Sequence, residues 1–198
     1  MILAVDVVLL TVREALEVLL LRREEPPYAG AWALPGAFVR PDEGIEAAAR
    51  RVLRDKVGLA DVYVEQLYTF GEPERDPRGR VVSVAHYALV PAARLELPSD
   101  DLHLAPVYVS PLPFDHADIL ATAVRRLRGK LDASPVGYEL LPERFTLSQL
   151  QRVHERILGR GVNKDSFRRR MVQSGELEPT GELRQGAGRP AELFRHVR

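Results

Sequence analysis

The stretch Gly36-Ala37-Phe38-Val39-Arg40-Pro41-Asp42-Glu43-Gly44-Ile45-Glu46-Ala47-Ala48-Ala49-Arg50-Arg51-Val52-Leu53-Arg54-Asp55-Lys56-Val57-Gly58-Leu59 decides how this chain is read. A polar loop leads into residues 43–57, whose composition predicts a helix, and Gly58 closes it as a C-terminal cap. Positions 52, 55 and 56 are three and four residues from their neighbours on the wheel and share one face. That face carries a valine, an aspartate and a lysine. The chain around this stretch has 198 residues, 45% of them hydrophobic and 28% charged, as expected of an ordinary folded protein. It has no cysteine, which excludes disulfides, thiol chemistry and Cys-bound zinc. The apolar start, Met1 to Leu10, is interrupted by Asp6 and reads as a buried strand, not a signal peptide. No apolar run approaches the roughly 18 residues needed to span a bilayer, so the expectation is a cytoplasmic protein with no membrane contact.

The spacing of residues 37–59 resembles the Nudix box, G-x5-E-x7-R-E-U-x-E-E-x-G-U with U apolar. Glu43, Arg51, Leu53, Gly58 and Leu59 match it, and Leu34-Pro35-Gly36 precedes it as Nudix proteins usually have. Ala37 replaces the first glycine, and Val52, Asp55 and Lys56 replace the three helix carboxylates. In a Nudix hydrolase those carboxylates hold Mg2+ or Mn2+ against a diphosphate, because hard cations take several oxygen ligands. Here the triplet's charge falls from roughly −3 to about 0, and Lys56 would repel a divalent ion. The sequence keeps the scaffold of a nucleotide hydrolase and loses its metal, so no catalytic and no metal-binding residue is assigned. Binding or sensing becomes the first expectation.

Outward from the box, residues 5–12 and 16–21 predict a hairpin turned at Arg13-Glu14-Ala15. Further strands are expected at 62–70, 81–90 and 107–109, and a helix capped by Asp115 through Leu131. The expected domains are residues 1–132, a linker at 133–144, and a C-terminal domain at 145–198. In the last, Thr146-Leu-Ser-Gln149 is a capping box before an apolar stripe of Leu147, Leu150, Val153, Ile157 and Leu158. Asn163 caps a second helix through Ser174, and two short strands follow around a tip at Gly186-Ala187-Gly188. Helix, turn, helix, hairpin is the order of a winged helix-turn-helix.

Two groups of residues are candidates for ligand contact. Arg75, Arg78 and Arg80 share one loop, and guanidinium forks suit phosphate oxygens. With Arg51, and with Lys56 as a counter-charge in place of the metal, they supply a diphosphate site. Trp32, Phe38 and Phe70, with Tyr68, are candidates to sandwich a base, although each also fits plain core packing. His86 and His116 carry no ligand signature. No Ser-His-Asp set is recognisable, and the Gly186-x-Gly188 tip lacks the strand-to-helix context of a dinucleotide fingerprint.

The second group is basic. Residues 143–198 hold 12 basic and 7 acidic side chains, a net +5, which leaves −5 on the rest of a neutral chain. On the Asn163 helix, Phe167 and Met171 form the buried side and Arg169 lies opposite Phe167. Ser166 and Gln173 share that outer face, and Arg168 and Arg170 flank the buried stripe. Such a helix fits a major groove, with arginine or glutamine on base edges and Asn163 or Lys164 near phosphates. Arg184 and Arg189 on the hairpin extend the same surface.

A degenerate Nudix domain followed by a basic winged helix resembles the Nudix-related transcriptional regulators of NAD metabolism, the NrtR family, over essentially the whole chain. Residues 68–80, 114–120, 145–153, 167–171 and 188–195 look like that family. The resemblance implies an α/β fold (a Nudix sandwich with a mixed sheet and helices) and a C-terminal winged helix-turn-helix. It implies a homodimeric repressor that binds double-stranded operator DNA at NAD biosynthesis or salvage genes. It implies that ADP-ribose or a related nucleotide enters the Nudix pocket as effector and releases the DNA, with no cofactor required. The alternative is an active Nudix hydrolase of the ADP-ribose pyrophosphatase type with an accessory C-terminal domain.

Overall fold

Eleven consecutive strand-forming residues, Ile2–Val12 (β1), make the centre of the fold, and eight of them in a row are buried. A strand covered on both faces shows such an unbroken apolar run instead of alternation. The computed structural model describes residues 1–97, 99–131, 134–185 and 190–197. β1 turns back into β2 (Leu16–Arg22), and β3 (Trp32–Ala33) and β4 (Gly36–Phe38) precede helix α1 (Ile45–Val57). β5 (Tyr63–Phe70), β6 (Val81–Leu89), β7 (Leu102–Pro106) and helix α2 (His116–Lys130) follow. The sheet runs β3-β2-β1-β6-β5, with β4 also on β1 and β7 also on β2. Among the described residues of this sheet β1 and β6 pair in parallel and the other pairings are antiparallel. This is the mixed sheet expected.

One face of the sheet packs Val5, Val7, Leu9 and Leu19 against Ala48, Ala49, Val52, Leu53 and Val57 of α1. The other packs Val8, Leu10, Val18 and Tyr87 against Ile119, Leu120, Ala123 and Leu127 of α2. Helices therefore cover both faces. Three details differ from the sequence reading. α1 begins at Ile45, not residue 43, because the Glu43 carboxylate turns back to accept the Arg40 amide at 2.9 Å and finishes the loop. The strand expected at 107–109 lies earlier, at Leu102–Pro106; Pro106 ends it, and its carbonyl accepts the Val109 amide at 2.9 Å in a turn. Asp115 does stand at the N-cap of α2, but its side chain caps nothing and is given to Arg75 instead.

The C-terminal segment builds α3 (Leu147–Leu158), α4 (Lys164–Gln173) and a hairpin of β8 (Leu177–Arg184) and β9 (Ala191–His196). Thr146 and Gln149 close a reciprocal capping box on α3, and the Asn163 side chain caps α4 by accepting the Ser166 amide. Phe145 bridges Phe194 as a third short strand beside the hairpin. The segment expected as a linker is not slack in its described part: residues 135–140 form a 3-10 turn with Val136, Tyr138 and Leu140 buried. Those side chains join Leu127 and Leu131 of the α2 segment to Phe145, Leu150, Ile157, Phe167 and Phe194, so one apolar core runs through both parts.

Candidate nucleotide cleft and nucleic-acid interface

β1 changes partner along its length, pairing with β2 at residues 10–12 and with β4 at residues 4–6. The divergence opens a cleft of about 660 Å3 at the start of β1, a volume ordinary for a small-molecule site. Gly36 lies directly across from Asp6, and a Cβ there would strike the Asp6 carboxylate and the Val5 carbonyl. Glycine at 36 is what lets β4 approach. On the cleft floor, buried Asp6 accepts from the Ser83 hydroxyl at 2.6 Å and from Arg75 Nη2 at 3.2 Å. Arg75, itself buried, forks onto Asp115 at 2.8 and 2.6 Å. His116 Nδ1 accepts the Leu34 amide at 3.1 Å, which assigns the ring proton to Nε2, 3.4 Å from Asp6. Burial works to raise the Asp6 pKa, but His116, Ser83 and Arg75 outweigh it and hold the carboxyl at about 2.

Of the residues expected to meet a nucleotide, Phe38, Lys56, Arg75 and Arg78 line this cleft. Lys56 Nζ donates to the Gly36 carbonyl at 2.6 Å. Partial burial, with Arg23 nearby, pushes its pKa down from the usual lysine value. Arg75 is committed to two carboxylates, so its fork is not free for a phosphate as the sequence reading supposed. Arg78 clasps Asp76 at 3.0 and 2.7 Å. The other four stand outside the lining. Arg51 is paired with Glu43 at 2.9 and 2.5 Å, and this pairing holds the Glu43 carboxyl at about 2. Arg80 donates to the Gly71 carbonyl. Trp32 packs on His103 with ring centroids 5.2 Å apart, and Phe70 on Tyr68 at 5.5 Å.

The sequence reading missed Asp6, Arg22, Arg23, Phe114 and His116, all of which line the cleft. Asp6 offered a signal, because a carboxylate inside an otherwise apolar strand needs a partner. Phe114 and His116 offered none, since nothing local shows that the start of α2 meets the start of β1. The donor set does not fit a Nudix metal. Val52 is 1% exposed among the α1 core residues, Asp55 pairs with Arg54, and Lys56 brings a cation. Among the described residues no group of three or more His, Cys, Asp or Glu is arranged to hold an ion.

The second surface is α4. Phe167 and Met171 are buried against the core, whereas Lys164, Ser166, Arg168, Arg169, Arg170 and Gln173 are exposed. The Arg170 guanidinium lies 5.7 Å from the Phe167 ring centroid, on the flank where the helical wheel put it. Asn163 spends its side-chain oxygen on the cap, accepting the Ser166 amide at 3.0 Å. Among the described residues, no carboxylate pairs with Lys164, Arg168, Arg169 or Arg184. Lys164 and Arg168 share a groove with Ser148 at the start of α3 and with residues 190–192 of the hairpin. Arg184 is exposed on β8; Arg189 and the tip at 186–188 lie outside the described residues. No described helix is long and apolar enough to cross a membrane.

Comparison with known proteins assigns both regions. Residues 2–127 match the NUDIX domain, and residues 137–196 match the NrtR DNA-binding winged helix domain. The chain is 37% identical to the ADPR responsive transcriptional repressor NtrR of Acinetobacter baylyi, over 96% of this chain and 80% of that one. It superposes on Shewanella oneidensis NrtR complexed with a 27mer DNA with a TM-score of 0.91 and 39% identity, covering 98% of this chain and 93% of that one. It also matches the NUDIX domain of Shewanella oneidensis NrtR complexed with ADP ribose, with a TM-score of 0.57 and 36% identity, covering 63% and 87% of the two chains.

Proposed function

The chain belongs to the Nudix family, in the NrtR group that joins a Nudix domain to a DNA-binding winged helix, and on that premise we propose that it is a transcriptional repressor of NAD-metabolism genes whose Nudix cleft senses ADP-ribose. The repressor binds operator DNA as a cytoplasmic homodimer through α4 and the hairpin, and the nucleotide releases it. The observation that carries this reading is the conversion of the metal face of α1. Val52 has gone into the core, and Lys56 puts an ammonium at the cleft where a hydrolase needs carboxylates. A cation there attracts a diphosphate without an ion between them, and no bound metal activates a water for hydrolysis. Lys164, Arg168 and Arg169 of α4 support the other half of the reading, since among the described residues no carboxylate takes up these exposed cations and they can meet phosphates.

The test uses one sample for three measurements. Calorimetry in EDTA detects ADP-ribose binding, and Lys56→Glu weakens it by about tenfold or more. Hydrolysis of ADP-ribose in Mg2+ stays far below an ordinary enzyme rate of about 1 per second. A mobility shift of DNA upstream of NAD genes from the native genome disappears as ADP-ribose is added. Turnover at an enzymatic rate, or binding that needs Mg2+, returns the chain to the hydrolases.

A further inference from the structure

Phe114 stands in the cleft with a backbone φ of 56°, the left-handed region that an aromatic L-residue rarely adopts. The conformation aims the ring at a cluster of cations and rings. The Arg23 guanidinium carbon lies 4.9 Å from its centroid and that of Arg78 5.7 Å. Tyr28 meets the ring edge-on at 5.0 Å, and His116 supports it at 5.3 Å. The same Arg78 guanidinium lies 5.2 Å from the Phe38 ring, which is 45% exposed although it lines the cleft. One planar cation therefore lies over both rings, 5.2 and 5.7 Å from their centroids, while buried Asp76 grips it from the side.

A guanidinium on two rings does there what a flat heterocycle can do. Both are planar, and both offer a face to a ring. We propose that Phe38 and Phe114 are the base subsite of the cleft and that Arg78 occupies it until a nucleotide arrives. The base of the effector stacks on the two rings in place of the guanidinium, and Lys56 meets the diphosphate. The inference rests on the nucleotide-binding reading above and adds the residues that select a base. Arg78 sets the specificity: a ligand without a base has nothing to offer the rings in exchange.

The three ligands that separate these ideas are ADP-ribose, adenosine and ribose 5-phosphate, each titrated calorimetrically against the full chain. Phe38→Leu changes an exposed side chain and leaves the core alone, and Phe114→Leu tests the second ring. Each lowers the affinity for ADP-ribose and adenosine by about fivefold or more, as loss of base stacking does, and leaves ribose 5-phosphate unchanged. Arg78→Ala raises the affinity for adenosine several-fold, because the base no longer displaces a cation. Equal losses for all three ligands in the phenylalanine variants, or unaltered ADP-ribose binding in them, overturns the base subsite while the effector reading stands. Weaker adenosine binding in Arg78→Ala overturns the displacement. A parent protein that binds neither ADP-ribose nor adenosine overturns the effector reading and the subsite with it.

Discussion

The cleft and the α4 surface are both rich in arginine, and they use it in opposite ways. In and around the cleft, Arg75 is held by Asp6 and Asp115, Arg78 by Asp76 and Arg51 by Glu43. On α4 and β8, Arg168, Arg169 and Arg184 have no carboxylate partner among the described residues. Pairing fixes a guanidinium in place and takes most of its charge out of play, which builds a shaped site for one small molecule. An unpaired, exposed guanidinium keeps its field and its counterions, and releasing those counterions drives association with a polyanion. A count of arginines treats the two surfaces alike. Their partners tell them apart.

Removing the buried, doubly paired Arg75 therefore costs the fold, and removing an unpaired arginine costs only the complex. Arg75→Ala strands two carboxylates, one of them buried, and is expected to destabilise the protein by about 3–5 kcal/mol in denaturant unfolding. A loss below about 1 kcal/mol would mean that the cleft pairs are no more structural than surface ones. Arg169→Ala leaves unfolding unchanged and weakens specific operator binding by about 1–3 kcal/mol if the side chain reads a base, with preference flattened at one position. An unchanged Arg169 variant beside a crippled Arg168 or Arg170 variant would show the helix rotated in the groove.

Asp6 sharpens the contrast through pH. Its folded pKa of about 2 lies below the ordinary 3.8, so its contribution is full above pH 4. Up to about 2 kcal/mol is then lost as pH falls from about 4 toward 2. Asp6→Asn should remove that acid limb from the stability profile. The smallest effect is expected at the scaffold of the DNA surface, where Thr146→Ala deletes half of the capping box and costs about 1 kcal/mol of thermal stability.

What the sequence made legible was whatever is written locally. The loop and helix at 36–59, the capping box at Thr146, the Asn163 cap and the buried pair Phe167 and Met171 were all readable from spacing, because helices repeat on short intervals. Lys56, Phe38, Arg75 and Arg78 line the cleft together, since the box and the arginine loop are contiguous stretches. Phe114 and His116 were not readable, because their place depends on α2 crossing the sheet toward β1, more than a hundred residues away in sequence. Arg51 stands outside the lining because its fork is taken by Glu43, a pairing that appears only once the loop and the helix are folded together.

The packed turn at residues 135–140 bears on how the two surfaces communicate. α2 has Asp115 at its beginning, clasped from the cleft floor by Arg75, and near its far end Arg128 donates to the Ile157 carbonyl of α3 at 2.7 Å. A helix of 15 residues is a stiff rod some 22 Å long. The turn at residues 135–140 packs into the same core as the end of α2 and the winged helix, so a displacement of that rod is passed on through packed side chains. A tilt of a few degrees at the cleft end arrives at the other end as a shift of about an ångström. Against the fixed spacing of the grooves of DNA, that is a mismatch in phase rather than a loss of contacts.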